Sequence, residues 1–598
     1  MSQPDPNAPP QKRIRWGLLV FLALVGILIL GGVLVMAGLG ALMKGKSVSV
    51  KADSTLVLAL DRPLQESQPD PLMTEFFHAK LYCVRDVVSA LDRAAKDDRI
   101  KSVLLDVSSF PSGLGKIQEL KDAVGRFKAS KKPVWAYFES AHTGGYYLAC
   151  EAEKIYAPPT ADLLLVGPVA DVPFYRGVLD KVHIQPQLYH IGDYKSYSDT
   201  FMRKEMAPAQ REATDAILDS FYRQIVEGIS SGRHLSADQV RSTMDQGFLW
   251  GEQIKARGMV DGLLYRDQLE DELKKLNGNS DKWRRIYMED YIKDQRSDAA
   301  AGARKSIALV LASGGIVSGE GSAQAALGGE QNIGSDTMVK WLRKVGEDKE
   351  VAAVVLRVDS PGGSGLASDV IWRQIQVLRK TKPVVVSMSD VAGSGGYYIA
   401  MGADAIVAQP GTITGSIGVV SGKFVIKGLL DFVDYRQETL KRGENSDIFS
   451  GYTPFTPEQE KLIMGQMQGF YHEFVGKAAQ GRKMSYESID KVGQGRIWSG
   501  EDALKIGLVD KLGGMDTAIA LAKEKAKLGK DEPIRIKIYP RPKSLFESFL
   551  QSGPDELGAA RTLAVIPPEL LQVYREYETL RPLVSEPFML YSPTRIRM

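Results

Sequence analysis

The stretches HTGGYYLACEAEKIYAPP, from His142 to Pro159, and GSGGYYIAMGADAIVAQP, from Gly393 to Pro410, read as two versions of one segment. Thr143 aligns with Ser394, 251 positions apart. The same offset pairs Ala152 with Ala403, Ile155 with Ile406, Ala157 with Ala408, Pro159 with Pro410, Gly167 with Gly418 and Gly192 with Gly443. Upstream it pairs DVVSALDRAAKDDRIKSVLLDVSS, from Asp86, with TMVKWLRKVGEDKEVAAVVLRVDS, from Thr337, matching Leu91 to Leu342, Val103 to Val354 and Ser109 to Ser360. One offset sustained from Asp86 to Gly192 marks a duplicated domain, and compensating one-residue shifts between the blocks fit loop variation.

Both halves share one pattern. A short apolar run opens each (TLVLAL from Thr55, IALVLA from Ile307), and an amphipathic helix follows near Val87 or Met338. Next come a β-rich run (VLLDV from Val103, VVLRV from Val354), a Gly/Ser/Pro turn and another helix. A strand (VWAYF from Val134, VVVSM from Val384) then feeds directly into the Gly-Gly-Tyr-Tyr helix. Strands alternating with helices predict an α/β domain built around a mostly parallel sheet. Segments rich in Glu, Ala and Gln, over 206–232 and 456–482, predict a closing helix for each half. Pro and charge thicken over 531–543, which reads as the exit from the second domain. The expected organisation is an N-terminal tail (1–15), a transmembrane helix (16–43), a first domain (44–300), a second (301–540) and a C-terminal tail (541–598) that packs on the body.

Composition excludes several classes. The 598 residues are 44% hydrophobic and 25% charged, unlike a disordered, collagen-like or disulfide-stapled chain. The 76 Lys+Arg are balanced by 73 Asp+Glu and scattered, so there is no footprint for nucleic acid. One segment is extreme. From Trp16 to Met43 no charge appears, a run long enough to cross the roughly 30 Å hydrocarbon core as a helix. A cleaved signal peptide has an apolar region of only about 7 to 15 residues. Lys12, Arg13 and Arg15 precede the run while Lys44, Lys46 and Lys51 follow it, so charge leaves its orientation open. Cys83 and Cys150 have no metal-ligand spacing and read as buried apolar thiols. His142, His183, His190, His234, His472 and His78 form no His-Glu-x-x-His pattern, so neither a metal nor a cofactor is expected.

The chemistry centres on Ser394, in SDVAGSGGYYIA, at a strand-to-helix junction. Flanking glycines allow a sharp turn, and the helix N-terminus aims free N–H groups, Gly395's among them, at a developing oxyanion. Upstream, Asp359-SPGGSG ends another strand, and Gly362 or Gly363 offers a second donor. A serine needs a base, yet His472, the second half's one histidine, lies far from the glycine loops in a polar helical stretch. A lysine in an apolar pocket loses its charge and can take the serine proton. The first half supplies a candidate in QLYHIGDYKSYSDTF, where Lys195 follows a strand-like run and a Gly-Asp turn. At the repeat offset Lys195 pairs with Ser446, and Ser394 with Thr143, so each half holds one member of a Ser/Lys pair. That complementarity predicts one active site assembled across both halves. Lys441 is a local alternative base, five residues before the repeat position.

Four motifs in order, IGDYKS from Ile191, SPGGS from Ser360, AGSGGYY from Ala392 and TGSIGV from Thr414, carry a resemblance over roughly residues 50 to 540. The chain resembles the long, duplicated form of the signal peptide peptidase A (protease IV) family, membrane-anchored serine proteases of the bacterial envelope. The resemblance implies a Clp protease/crotonase-like fold in tandem, Ser394 as nucleophile, Lys195 as general base and Ser416 as the residue that orients the lysine. It also implies released signal peptides as substrates; their apolar cores need an apolar groove, and strands such as IGVV from Ile417 are expected to line it and bind an extended peptide by β-addition. It further implies a bowl-like homo-oligomer, often tetrameric, a cytoplasmic N-terminus, and catalytic domains outside the bacterial inner membrane. Two alternatives stay open: a crotonase-like acyl-CoA enzyme using the same oxyanion hole, and an inactive envelope scaffold in which Ser394 and Lys195 lie too far apart to bond.

Overall fold

The apolar runs become parallel strands covered on both faces. In Val351–Ser360, Val354, Val355, Leu356 and Val358 have no exposed surface, as unbroken rather than alternating hydrophobicity requires. Each such side chain contributes roughly 1.5–3 kcal/mol of burial. The sheet containing this strand has eight strands. Two of them are Ile413–Gly415, parallel to the end of Val384–Gly393, and Ile497–Ser499, antiparallel to Ile413–Gly415. The other six run parallel in the order Lys511–Leu512, Ala405–Ala408, Val384–Gly393, Val351–Ser360, Lys305–Ser313, Ile534–Tyr539. The first half repeats that order strand for strand: Gly262–Leu263, Lys154–Ala157, Val134–Tyr137, Ile100–Val107, Ser54–Leu60, Arg285–Tyr287. The duplication read from one offset is therefore a duplicated topology. The Pro- and charge-rich stretch 531–543 holds more than a domain exit, because Ile534–Tyr539 forms the edge strand of the second sheet.

Helices cover these sheets through apolar stripes. In Val84–Lys96 the buried Val84, Val87, Val88, Leu91 and Ala94 fall at helical spacing on one face. Its counterpart, Ser335–Glu347, buries Met338, Leu342 and Val345. The long closing helices are Pro208–Arg233 and Pro457–Arg482. Each has proline in its first turn, and the second has a capping box between Thr456 and Gln459.

The computed structural model describes residues 49–67, 82–107, 112–294, 303–321, 332–530 and 532–541, together with the backbone strands Met589–Tyr591 and Ile596–Arg597. The chain divides into units 1–50 and 51–598, and both halves of the repeat belong to the second. The tail 1–15 and the helix expected over 16–43 lie outside the described residues. Among the described residues no helix is long and apolar enough to cross a membrane.

A third sheet joins the halves. Gln185–Ile191 pairs antiparallel with Val419–Val425 along its whole length, from Gln185 opposite Val425 to Ile191 opposite Val419. Farther along this sheet, Met589–Tyr591 lies between Val419–Val425 and Gly362–Ser364, antiparallel to both. The strand that ends just before Lys195 is thereby registered on the half that carries Ser394.

Candidate active site

Ser394 stands between the strand Val384–Gly393 and the helix Gly395–Ala400. Its backbone sits at φ 55° and ψ −113°, a conformation that costs an L-residue on the order of 1–3 kcal/mol. Its N–H donates to Gly415 O at 2.8 Å, and its own carbonyl accepts from Tyr398 N at 2.8 Å, so bonds on both sides hold the turn. Ser416 shares the unusual geometry, at φ 54°, and its N–H donates to Arg496 O at 2.7 Å.

Lys195 arrives from the other half through a tight passage. Gly495, at φ 79°, lies so close that a Cβ there would fall 2.4 Å from Lys195 N, which leaves glycine as the fitting residue. The lysine is 1% exposed, and its Nζ lies 2.6 Å from Ser394 Oγ, 3.0 Å from Ser416 Oγ and 3.0 Å from Ser416 O. A neutral amine has two N–H donors and one lone pair. Its hydrogens go to the two Ser416 oxygens, and the lone pair is left for the Ser394 hydroxyl proton. Burial alone drives the lysine down to about 7 from its ordinary 10.5, so it is substantially neutral at physiological pH.

The glycine loop lies against this pair. Gly363 N and Gly362 Cα are each 3.2 Å from the position a Cβ on Gly395 would take. The two loop glycines differ, because the Gly362 N–H donates to Ser360 Oγ at 3.2 Å. Strand pairing of Ser360 with Ala392 sets the loop beside the serine turn.

The remaining candidates fall elsewhere. Thr143, the repeat counterpart of Ser394, is the first residue of a helix; its hydroxyl donates to Val166 O at 2.8 Å and accepts from Val166 N at 2.9 Å. Ser446 is exposed in a turn and bonds Gly443 O. Lys441 is exposed and paired with Asp447 at 3.2 Å. His472 lies against the Tyr486 ring. Cys83 and Cys150 are free and buried. Among the described residues no group of three His, Cys, Asp or Glu is placed to hold a metal. Sequence reasoning missed the segment Gln494-Gly495-Arg496, whose backbone bonds Tyr194, Ile417 and Ser416 and so wraps the lysine. Its signal was a glycine pair, Gly493 and Gly495, in an otherwise unremarkable loop.

A sequence profile described as Peptidase family S49 matches residues 126–280 and 376–529, over half of the chain and once in each repeat. The chain is 35% identical over 484 residues to "Serine protease SPPA, chloroplastic" of Arabidopsis thaliana, covering 80% of this chain and 71% of that one. It is 29% identical over 535 residues to "Protease 4" of Haemophilus influenzae, covering 85% of this chain and 86% of that protein. Among solved structures, a point mutant of the 1510-N membrane-bound stomatin-specific protease in complex with a substrate peptide matches 43% of this chain and 98% of its own, at 16% identity and a TM-score of 0.25. ClpP1 from Listeria monocytogenes matches 35% of this chain and 94% of its own, at 16% identity and a TM-score of 0.22. The chain belongs to peptidase family S49 and is a serine protease.

Proposed function

We propose that this protease is membrane-anchored, cuts released signal peptides and similar apolar peptides, and uses Ser394 as nucleophile, Lys195 as general base and Ser416 to orient the lysine. The observation that carries the reading is the 2.6 Å contact between Lys195 Nζ and Ser394 Oγ, formed by a buried amine that is paired with no carboxylate among the described residues. An inactive scaffold predicts separation of the same two atoms.

Neutral Lys195 takes the Ser394 proton, and the alkoxide attacks the peptide carbonyl. Negative charge on the carbonyl oxygen is met by the N–H groups of Gly395 and Gly363; Gly362 is already engaged with Ser360. The lysinium returns its proton to the departing amine, leaving an acyl-serine. Lys195 then takes a proton from water, whose hydroxide adds to the ester carbonyl; the Ser394 oxygen leaves, takes that proton back from Lys195, and the acid product departs with Ser394 and neutral Lys195 restored.

The substrate lies as an extended strand between Gly362–Ser364 and Val419–Val425. The chain's own Met589–Tyr591 supports this, placing Tyr591 opposite Gly362, Leu590 opposite Gly363 and Met589 opposite Ser364. The apolar run from Trp16 to Met43 serves as the anchor, with the catalytic halves on the extracytoplasmic side of a bacterial inner membrane.

Assembly into a homo-oligomer, a tetramer in the form the resemblance implies, is part of the same reading. The first-half helices Leu114–Lys128 and Pro208–Arg233 pack on the second half, against Val384–Gly393 and Ile497–Ser499. Their second-half counterparts, Gly365–Leu378 and Pro457–Arg482, leave Leu366, Val370, Val377 and Leu462 exposed. At the repeat offset Leu366, Val370 and Val377 replace Gly115, Glu119 and Arg126, which face the second half. The first half's matching strand, Gly247–Trp250, leaves Phe248 and Trp250 exposed. A second copy covers both faces by repeating head to tail the contact already made within the chain.

The test is hydrolysis of an apolar fluorogenic peptide by the full chain. Ser394→Ala and Lys195→Ala are each expected to lose at least about 10³-fold in kcat while remaining folded. Full activity in the lysine variant removes the dyad from the mechanism.

A further inference from the structure

Beneath the site lies a cluster of charges assembled from both halves. Arg357, 1% exposed, donates to both Glu66 oxygens at 2.8 and 2.9 Å and to Glu119 at 2.6 Å, two carboxylates of the first half. Burial opposes ionisation of Glu66, but Arg357 outweighs it and holds that carboxyl down at about 2. Next to this lies a second tie. Lys116, in the first turn of Leu114–Lys128, places Nζ 2.6 Å from Asp359 Oδ2 and 2.9 Å from Asp390 Oδ2. Burial works against the Lys116 charge, yet the surrounding carboxylates outweigh it and hold its pKa above the ordinary lysine value.

The two aspartates occupy telling positions. Asp359 stands at the end of its strand, immediately before the Ser360–Gly363 loop, and Asp390 stands four residues before Ser394. Asp359 Oδ1 also accepts from Val391 N at 3.2 Å, and Asp390 Oδ1 accepts from Lys116 N at 2.8 Å. One ammonium therefore bridges the two strand ends that deliver the oxyanion loop and the nucleophile. Without it, two carboxylates would face each other in a buried site, and like charges there either splay the strands or force a proton onto one of them. The sequence of the repeat does not keep these three charges together. At the repeat offset Lys116 becomes Ala367, Asp359 becomes Ser108, and Asp390 becomes Glu139, which is exposed.

We propose that Lys116 is a positioning residue for the Ser394 reaction: by clasping Asp359 and Asp390 it sets the distance between the Gly363 N–H and the serine turn. The clasp comes from the half that supplies Lys195, so docking of the halves completes both the base and the oxyanion hole. The inference rests on Ser394 being the nucleophile.

The test compares Lys116→Met, Lys116→Met/Asp359→Asn and Ser394→Ala in the full chain on one peptide substrate. In the double variant the carboxamide at position 359 can still accept from Val391 N through its oxygen while its NH₂ group donates to Asp390, restoring a tie between the strands. Lys116→Met is expected to lose about tenfold or more in kcat, since a misplacement of about 1 Å can cost on the order of 10²-fold. KM should stay within about twofold and the activity pKa should remain at the Lys195 value, because neither substrate strand nor base is touched. The double variant should recover most of the lost kcat. A single variant of undiminished kcat, or a folded double variant as poor as the single one, overturns the proposal. If the single variant does not fold, the double variant decides alone: near-parent kcat supports the clasp, and a folded but inactive or an unfolded chain overturns it. Activity retained by Ser394→Ala would overturn the underlying reading instead, which separates the two failures.

Discussion

The two Gly-Gly-Tyr-Tyr junctions have the same strand order behind them and a helix in front, yet they end differently. In the second half one strand runs unbroken through Gly393, and Ser394 stands at φ 55°, outside the helix, with its hydroxyl against a buried amine. In the first half the strand is interrupted between Tyr137 and Ser140, and Thr143 joins the helix with its hydroxyl bonded twice to Val166. Position 195 and its counterpart reverse the contrast: Lys195 is buried at the junction of the halves, whereas Ser446 is exposed in a turn. Duplication has let each copy relax where the other is constrained. In the second half the strained turn stands beside Lys195, which reaches it from the first half.

The largest effect after loss of the pair itself is that of pH. Because burial lowers Lys195 to about 7, kcat/KM should fall about tenfold per pH unit below that value and level off above it. The same shift affects stability. Between pH 7 and 10.5 the unfolded chain binds more protons at this lysine than the folded one, so its contribution makes stability rise with pH across that window. Lys195→Met should abolish both the activity and this slope, and its denaturation midpoint at neutral pH should exceed the parent's. A pH profile flat through 7 would place the base elsewhere and break the contrast between the halves.

Much of this contrast was legible in the sequence because a repeat lets each half annotate the other. Ser394 stood out against Thr143, and Lys195 against Ser446, only when the halves were written in register. The core strands followed from their apolar runs, and the closing helices from composition rich in Glu, Ala and Gln. The clasp of Lys116 on Asp359 and Asp390, the collar around Gly495 and the pairing of Met589–Tyr591 were not legible, since each joins segments far apart in sequence through contacts no local pattern encodes. The edge strand Ile534–Tyr539 was passed over because it sits in a stretch thick with Pro and charge, although Ile534, Ile536 and Ile538 alternating with Arg535 and Lys537 is the pattern of a half-buried strand; it pairs on one side with the apolar Lys305–Ser313.

A smaller effect is expected at Ser416, which accepts from Lys195 at 3.0 Å through its hydroxyl and its carbonyl alike. Ser416→Ala removes one of the two acceptors and leaves the other, so kcat should drop by roughly tenfold rather than vanish, as for loss of one hydrogen bond of about 1–2 kcal/mol. A loss as large as that of Lys195→Ala would make the serine a proton carrier rather than an orienting group. Assembly is tested on the faces where the halves differ. Trp250→Lys puts a charge on an exposed apolar strand whose second-half counterpart is already covered. Light scattering should then show the assembly shifted toward single chains; an unchanged mass would remove this strand from the contact between copies.

The smallest effect belongs to Thr143. Its side chain is fully buried, and its hydroxyl satisfies both the N–H and the carbonyl of Val166. Thr143→Ala strands those two backbone groups, at a cost of about 1–3 kcal/mol in denaturant unfolding, whereas Thr143→Ser keeps both bonds and should be close to neutral. Neither variant should change kcat by more than about twofold, and Thr143→Ser should not become a second site for a serine-reactive fluorophosphonate. A new serine there remains within the helix, with its oxygen bonded to Val166. A loss of about tenfold in kcat from Thr143→Ala, with the fold intact, would mean that the first junction still takes part in the reaction, and the division of labour between the halves would have to be redrawn.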